Sequence, residues 1–288
     1  MAERLKESRD FAEIELFLAR VRDGLDGDLA LADLAREFGA SPFKFHRQFS
    51  KAVGETPRRL VERVRLERAA YLLAVTDSRV IQIALEVGFE SHEAFSRAFR
   101  RWFDRSPTAW RREARAWQVA RLQRNLHFTG EGCSFTDVWF EPRVPTPMLA
   151  IRRLGPYADL NAKAVRDAYF TEIETWARGH NFQLGDARWG LFPDDPTLTP
   201  PRLQCADVCI PVQQAVAGDQ RVRGLELSGG LFGKIGHLGP SHTVGQAYRQ
   251  LADAIRRSGH VFREGPPVQV FFADDEGRRE VWFPVRRR

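Results

Sequence analysis

Apolar residues recur at helical spacing through the first part of the chain and at two-residue spacing through the rest, and each pattern is written twice. In the first part, Leu31, Leu34, Ala35 and Phe38 share one face of a helix that stops at Gly39, where a positive φ costs little. Ser41-Pro42 supplies an N-cap and a first-turn proline for the next helix, on which Phe45 and Phe49 fall at i, i+4 and face inward. The second copy has Ile81, Ala84, Leu85 and Val87 as its scaffold helix and Gly88-Phe89-Glu90-Ser91 as its turn. Ser91 is the expected N-cap, with Phe95, Phe99 and one of Trp102 and Phe103 packed beneath the following helix. Phe45/Phe95, Arg47/Arg97, Phe49/Phe99 and Pro57/Pro107 each lie 50 residues apart, while Ala35/Ala84 and Gly39/Gly88 lie 49 apart, so the second turn carries one extra residue. Between the copies, Arg58 to Val75 predicts a spacer helix with Leu60, Val64, Ala70 and Leu72-Leu73 on an apolar side and Arg58, Arg59, Arg63, Arg65 and Arg68 on a basic side.

Charge sharpens this picture. The whole chain carries +6, and the stretch from Ala40 to Ala116 alone has 16 Lys/Arg against 9 Asp/Glu. A repeated helical hairpin with this basic excess suits a reader of double-stranded DNA, held by phosphate contacts that weaken with salt. The first reading helix exposes Phe43, Lys44, His46, Arg47 and Lys51; the second exposes His92, Glu93, Ala94, Ser96 and Arg97. A spacer of this length spans roughly 25 Å, which packing offsets extend toward the ~34 Å of one duplex turn, so one chain is expected to enter two successive major-groove segments. Glu93 favours cytosine or repels phosphate, so the second helix is expected to hold DNA less tightly.

Helical periodicity fades over Arg121 to Leu126, and Phe128-Thr-Gly-Glu-Gly132 reads as a linker into a strand-rich region. Here Arg153-Leu-Gly-Pro-Tyr157 is answered by His237-Leu-Gly-Pro-Ser241, each opening an amphipathic helix, about 159 to 178 and about 243 to 258. Each helix ends in Gly-His-x-Phe, at Gly179 and Gly259, and a strand ending Phe-x-Asp-Asp follows, at Phe192 and Phe272. Asp207-Val-Cys-Ile-Pro211 is then answered by Glu280-Val-Trp-Phe-Pro284. Two βαββ-like halves predict a pseudo-two-fold α+β domain with a groove along the axis. The fold class is therefore two domains, an all-α double helix-turn-helix over 8–118 and this α+β domain over 135–288, joined by a linker over 119–134.

Alternation in the last strand sets Glu280 and Trp282 on one face and Val281 and Phe283 on the other, under the helices. Glu280 and Trp282 then line the concave face, with Asp207 at the equivalent place in the first half. Trp189, Phe192, Phe232, Tyr248 and Phe271 are candidate walls, although parity alone leaves their facing open; the other reading pairs Glu280 with Arg278, Arg279 or Arg286. A carboxylate among aromatic rings is chemistry for an apolar cation. Three cysteines, Cys133, Cys205 and Cys209, form neither a disulfide framework nor a metal cluster, so structural thiols and no metal or cofactor are expected. A charged N-terminus with no signal peptide and no membrane-length apolar run suggests a cytoplasmic protein.

Residues from about 8 to 116 resemble the paired helix-turn-helix domain of AraC/XylS-family transcription regulators, through Ile81-x-Ile-Ala-x-x-Val-Gly-Phe-Glu-Ser-His-x-x-Phe-Ser-Arg-x-Phe-x-x-x-Phe and Asp104-Arg-Ser-Pro107. The resemblance implies DNA contacts from Phe43, His46 and Arg47 and from His92, Glu93, Ala94, Ser96 and Arg97, with Lys44, Lys51 and Arg101 beside them, and RNA polymerase as a partner of an activator. Residues from about 135 to 286 resemble a GyrI-like small-molecule-binding domain, through Leu238-Gly-Pro, Gly265-Pro-Pro and Glu280-Val-Trp-Phe-Pro-Val. That resemblance implies Glu280 as the acidic pocket residue for a cationic aromatic effector, as in multidrug sensing. Two other functions are open at this point. One is hydrolysis of a reactive compound by Glu280 with Tyr248 as acid/base pair; the other is a protein-interaction role for the groove.

Overall fold

The computed structural model describes residues 41–113, 132–219, 221–272 and 277–288, together with Val21 and Arg36. Apart from Arg36, the expected first scaffold helix, Leu31 to Gly39, and most of the expected linker lie outside the described residues. The chain divides into two compact units, Met1–Arg115 and Ala116–Arg288.

In the first unit, capping chemistry sets each helix start. Helix α1 (Pro42–Val53) opens at Ser41, whose hydroxyl accepts from the Lys44 amide at 3.3 Å, and ends at Gly54 with φ 78°. Helix α2 (Pro57–Val75) is capped by Thr56, which accepts from the Arg59 amide at 3.2 Å. Helix α3 (Val80–Glu86) turns at Gly88, φ 83°, into α4 (His92–Phe103), where Ser91 accepts from the Ala94 amide at 3.1 Å. The interior of α4 is an aromatic ladder, with ring centroids 5.4 Å apart for Phe95–Phe99, 4.6 Å for Phe99–Phe103 and 4.7 Å for Phe103–Trp110. Phe103, rather than Trp102, therefore fills the place under the helix. Trp110, in the helical residues 107–113, also donates its indole N–H to the Ala70 carbonyl, pinning this segment to α2.

Two expectations for this unit change. Arg63 is not on a solvated basic side. It is buried in α2, with its guanidinium on Glu55 (Nε 3.0 Å, Nη2 2.9 Å) and on Glu67 (Nη1 2.9 Å). Burial works against its charge, but Glu67 and Glu55 outweigh it and hold the guanidinium above its ordinary pKa. On α3, Ile83, Ala84 and Val87 are buried while Ile81 and Leu85 are exposed, so the inward stripe is one residue out of phase with the expected one.

Helix α4 ends at Asp104, whose φ of 54° lies in the left-handed region that Gly54 occupies fifty residues earlier. A side chain is strained there and glycine is not. Asp104→Gly should raise stability by about 0.5–1 kcal/mol, read as a higher unfolding midpoint of the full chain. A lower midpoint would mean that the aspartate side chain itself holds the turn.

The second unit is a single ten-stranded antiparallel sheet of β1 (Ser134–Phe135), β2 (Trp139–Arg143), β3 (Thr146–Leu154), β4 (Arg188–Leu191), β5 (Cys205–Pro211), β6 (Arg223–Leu227), β7 (Gly230–Leu238), β8 (His260–Phe262), β9 (Val268–Phe271) and β10 (Arg278–Arg287). Helices α5 (Lys163–Gly179) and α6 (Val244–Arg257) follow β3 and β7. The order β7-β10-β9-β4-β5-β3 at the heart of the sheet is symmetric about the β9–β4 pair, so the halves β3-α5-β4-β5 and β7-α6-β9-β10 are the two copies read from the sequence. Both helices lie on one face, α5 over Ile151, Val208 and Ile210, α6 over Ile235, Val281 and Phe283. The other face carries Met148, Trp189, Leu191, Phe232, Val270 and Trp282.

The opening turns of the two helices are tied down by different chemistry. In the first half Arg153 donates to the Pro156 carbonyl at 2.8 Å. In the second, the Thr243 hydroxyl donates to the Pro240 carbonyl at 2.7 Å, so at 2.7 Å it accepts from His237 Nε2–H. Burial, and then Arg279 nearby, lower the His237 pKa to about 4, so the imidazole stays neutral in this role.

The sheet's edges meet. Strand β2 lies on β7, yet two residues, 144 and 145, carry the chain into β3; β6 lies on β3, yet 228 and 229 carry it into β7. The links touch at Gly229, where a Cβ would stand 2.7 Å from Pro145 Cδ and 2.9 Å from the Arg143 carbonyl oxygen. This junction brings β2 side chains over the helix-free face.

Candidate nucleic-acid interface and effector groove

Helices α1 and α4 present matching faces. In α1, Phe43 is 78% exposed, and Lys44, His46, Arg47 and Lys51 are exposed beside it. In α4, His92, Glu93 and Arg97 are exposed and Ala94 and Ser96 half-buried, with His92 Nε2 and Ser96 Oγ 3.4 Å apart. Phe45/Phe49 and Phe95/Phe99 hold the opposite faces in the core, which fixes Arg47 and Arg97 outward on equivalent turns. Arg101 is exposed but engaged, its Nη2 2.5 Å from Glu62 on α2. The outer face of α1 is purely basic, whereas that of α4 mixes Glu93 with Arg97 and Arg101.

The helix-free face of the second unit gathers an aromatic and ionic cluster. Register places Glu280 between Gly236 and Val270, and Trp282 between Lys234 and Val268. Trp282 donates its indole N–H to Glu280 Oε2 at 2.8 Å. Its ring centroid lies 5.1 Å from that of Trp189 and 6.1 Å from that of Phe232. Two of the chain's own cations sit on these rings. Lys234 Nζ is 4.0 Å from the Trp282 centroid, and Arg143 Cζ is 5.0 Å from Trp282 and 5.6 Å from Trp189. Lys234, buried, is neutralised by Glu141 at 2.5 Å, and this bond keeps the Glu141 carboxyl below its usual range. The Arg143 side chain contributes only ring contacts and the long-range field of Glu141, with no side-chain hydrogen bond among the described residues. The aromatic site is thus already a cation site, and Arg143 occupies it.

A GyrI-like small molecule binding domain model matches residues 137–286, more than half of the chain. The chain belongs to the GyrI-like family. Ahead of the GyrI-like domain, residues 34–113 match a helix-turn-helix domain model, here of the AraC type. Over 96 residues the chain is 38% identical to the HTH-type transcriptional activator RhaS of Klebsiella pneumoniae (strain 342), a match covering 33% of this chain and 34% of RhaS. Over 91 residues it is 37% identical to the HTH-type transcriptional regulator YbfP of Bacillus subtilis (strain 168), covering 32% and 31%. The chain thus spans about a third of the length of each of these two relatives. Among solved structures, the DNA-binding domain of AdpA in complex with a target DNA is 31% identical, with a TM-score of 0.33, over 34% of this chain and 93% of that one. The EcmrR C-terminal domain is 13% identical, with a TM-score of 0.44, over 53% and 98%.

Within the GyrI-like domain, the candidate wall residues divide between the two faces of the sheet. Trp189 and Phe232 stand beside Trp282. Phe192 and Phe271 do not: each follows a neighbour on the helix-free face, Leu191 or Val270, and so turns to the α5 side, Phe192 against Tyr157 and Phe271 against Phe170. Tyr248 is also on the wrong face. It lies on α6, packs edge-on against Phe283 at 5.6 Å, and its hydroxyl accepts from Gln269 Nε2 at 3.0 Å, while burial raises its pKa. The sheet itself therefore separates Glu280 from Tyr248, and the expected acid/base pair does not form. Asp207 shares the face of Glu280, but it is enclosed by Arg152 (Nε 2.8 Å, Nη2 2.9 Å) and Arg223 (Nη2 3.0 Å), so its charge is spent internally.

Arg143, Lys234 and Glu141 were missed by sequence reasoning. Alternation in β2 puts Trp139, Glu141 and Arg143 on one face, a signal available once β2 is recognised as a strand. The three cysteines are free, and no His/Cys/Asp/Glu group able to hold a metal occurs among the described residues. No helix among them is long and apolar enough to cross a membrane.

Proposed function

We propose that this chain is a one-component transcription regulator, an activator, that grips two successive major-groove segments of DNA through α1 and α4 and responds to a small cationic aromatic effector held over Trp189 and Trp282. The observation that carries the effector reading is Arg143, an internal cation lying on two tryptophans without a hydrogen-bonded counter-charge. A planar cationic ligand takes its place, stacking on the same rings while Glu280 supplies the opposite charge. The relatives' printed names support activation, and RNA polymerase is the partner an activator recruits. Such a protein works where the DNA is, in the cytoplasm. Binding without turnover is favoured over hydrolysis because Glu280 and Tyr248 lie on opposite faces of β10.

Displacement makes a two-sided prediction. Arg143→Ala should tighten binding of cationic aromatic dyes about tenfold, because a competitor with two ring contacts of about 0.5–1 kcal/mol each is gone. Glu280→Gln should weaken the same dyes by a similar factor, and neutral aromatic probes should respond to neither change. Equilibrium dye titration of the full chain measures all three. If Arg143→Ala leaves cationic dyes unchanged or weakens them, the groove is not a cation site.

A further inference from the structure

The two tryptophans of the groove are not equivalent. Trp282 gives its indole N–H to Glu280 Oε2 at 2.8 Å. Trp189 is 3% exposed, and its Nε1 is buried with no hydrogen-bond partner among the described residues. A buried donor in this state weighs against the folded chain by about tenfold, because its N–H has lost water and gained nothing in return.

The groups around it have no acceptor to give. Three carboxylates lie on this face, and each is engaged elsewhere: Glu280 by Trp282, Glu141 by Lys234, and Asp207 by Arg152 and Arg223. The side chains that cover the rings are cations. Arg143 Cζ stands 5.6 Å from the Trp189 centroid, and Lys234 Nζ 4.0 Å from that of Trp282. A guanidinium and an ammonium carry donors only, so neither can accept from an indole N–H however its side chain turns. Arg143 therefore imitates the charge of a ligand and leaves its hydrogen bonding undone.

We infer, on the basis of the cation groove proposed above, that the Trp189 N–H reads a hydrogen-bond acceptor on the effector. The class of ligand is then an aromatic cation bearing an uncharged oxygen acceptor such as a carbonyl, and not a purely hydrocarbon cation. Room for it is the place of the Arg143 side chain, which is half-buried and moves into solvent when displaced. The rings of Trp189 and Trp282 are inclined at 71°. A plate stacked on Trp282 meets Trp189 at a steep angle, so a substituent projecting from the plate carries the acceptor to the N–H. Charge is read by Glu280 on β10 and the acceptor by Trp189 on β4, one point in each half of the domain.

Trp189→Phe keeps an aromatic ring and removes the N–H. Suitable probes are N-methylquinolinium cations with an acetyl group at successive ring positions, each matched with its isopropenyl isostere, which has the same charge and shape but no acceptor. Equilibrium titration of the full chain with these pairs tests the assignment. In wild type, at least one acetyl cation should bind about tenfold more tightly than its isostere. In Trp189→Phe that advantage should vanish, whatever the smaller ring costs both members of the pair. If the cations bind and Glu280→Gln weakens them, but acetyl and isopropenyl members bind alike, the inference falls and the cation groove stands. An advantage that survives in Trp189→Phe has the same meaning. Cations that do not bind wild type at all remove the groove and this inference together. A second readout needs no variant. Among the seven indole N–H protons of the nitrogen-labelled wild type, one should move downfield with the acetyl cation and not with its isostere. The proton of Trp282 is told apart because it is already hydrogen-bonded to Glu280 without ligand. Absence of that shift overturns the inference even if Trp189→Phe does not fold.

Discussion

Replacing Arg47 and Arg97 together with alanine should remove sequence-specific DNA binding while leaving the fold intact. Both side chains are exposed, and the phenylalanines that hold their helices in place, Phe45 and Phe49 in α1 and Phe95 and Phe99 in α4, face the other way. Each arginine that bonds a guanine edge carries about 1–3 kcal/mol of discrimination, so each single change should cost roughly 5- to 150-fold in affinity. The double variant is the sharper test. If one chain holds both major-groove segments at once, the two losses should nearly add, to about 2–6 kcal/mol. If α4 merely packs beside the duplex, Arg97→Ala alone should change nothing. The electrostatics predict an unequal split, with the larger loss at Arg47, because α1 exposes only basic charge and α4 includes Glu93. Selecting a preferred site from a random DNA pool with the wild type, then titrating each variant against it at fixed salt, measures all of this. Equal affinity for wild type and the double variant would sink the recognition-helix assignment.

Arg63→Ala should strongly destabilise the first unit. It strips the cation from between Glu55 and Glu67 and leaves Glu67 buried beside the space vacated. Breaking a buried pair from one side costs about 3–5 kcal/mol, because the remaining charge has lost a close cation without regaining water. Denaturant unfolding of the full chain, followed through the tryptophans, should show an early transition moved to lower denaturant. Adding Glu55→Gln and Glu67→Met to the alanine variant should recover most of the loss, since an uncharged, well-filled site is close to neutral relative to a complete ion pair. Little effect of Arg63→Ala would mean that water reaches the carboxylates.

Much of this was legible in the chain itself, and the rest failed for identifiable reasons. Ser41 and Ser91 could be read as caps because capping is local chemistry, and the fifty-residue repeat located α1 and α4 without any tertiary information. Alternation placed Glu280 and Trp282 together because both lie on one uninterrupted strand. Phe192 and Phe271 sit at or beyond strand ends, where facing depends on the register with neighbouring strands, and that is long-range information. Tyr248 was excludable in principle. With Val281 and Phe283 assigned to the helix side, a side chain of α6 that points into the sheet meets them and not Glu280. Arg63 falls three residues after Leu60 and four before Glu67, a basic residue in phase with an apolar stripe and an acid. Its burial was therefore written in the helical phase, although a count of charges hid it. The Arg143 contact depends on the meeting of the sheet's edges, which no local pattern announces.

The duplicated scaffold has one further consequence. Two copies of a half, related by a two-fold axis, would offer a visitor two equal ways to lie in the groove. Here the acid of one copy, Glu280, keeps company with an indole, while that of the other, Asp207, is locked between two guanidiniums; where one copy offers Trp282 at the next groove position, the other offers Cys209. The palindrome of the backbone has become a sentence that reads in one direction. On the proposed reading, a bound cation has a head and a tail at this site, and turning it end for end would set its charge against the wrong carboxylate.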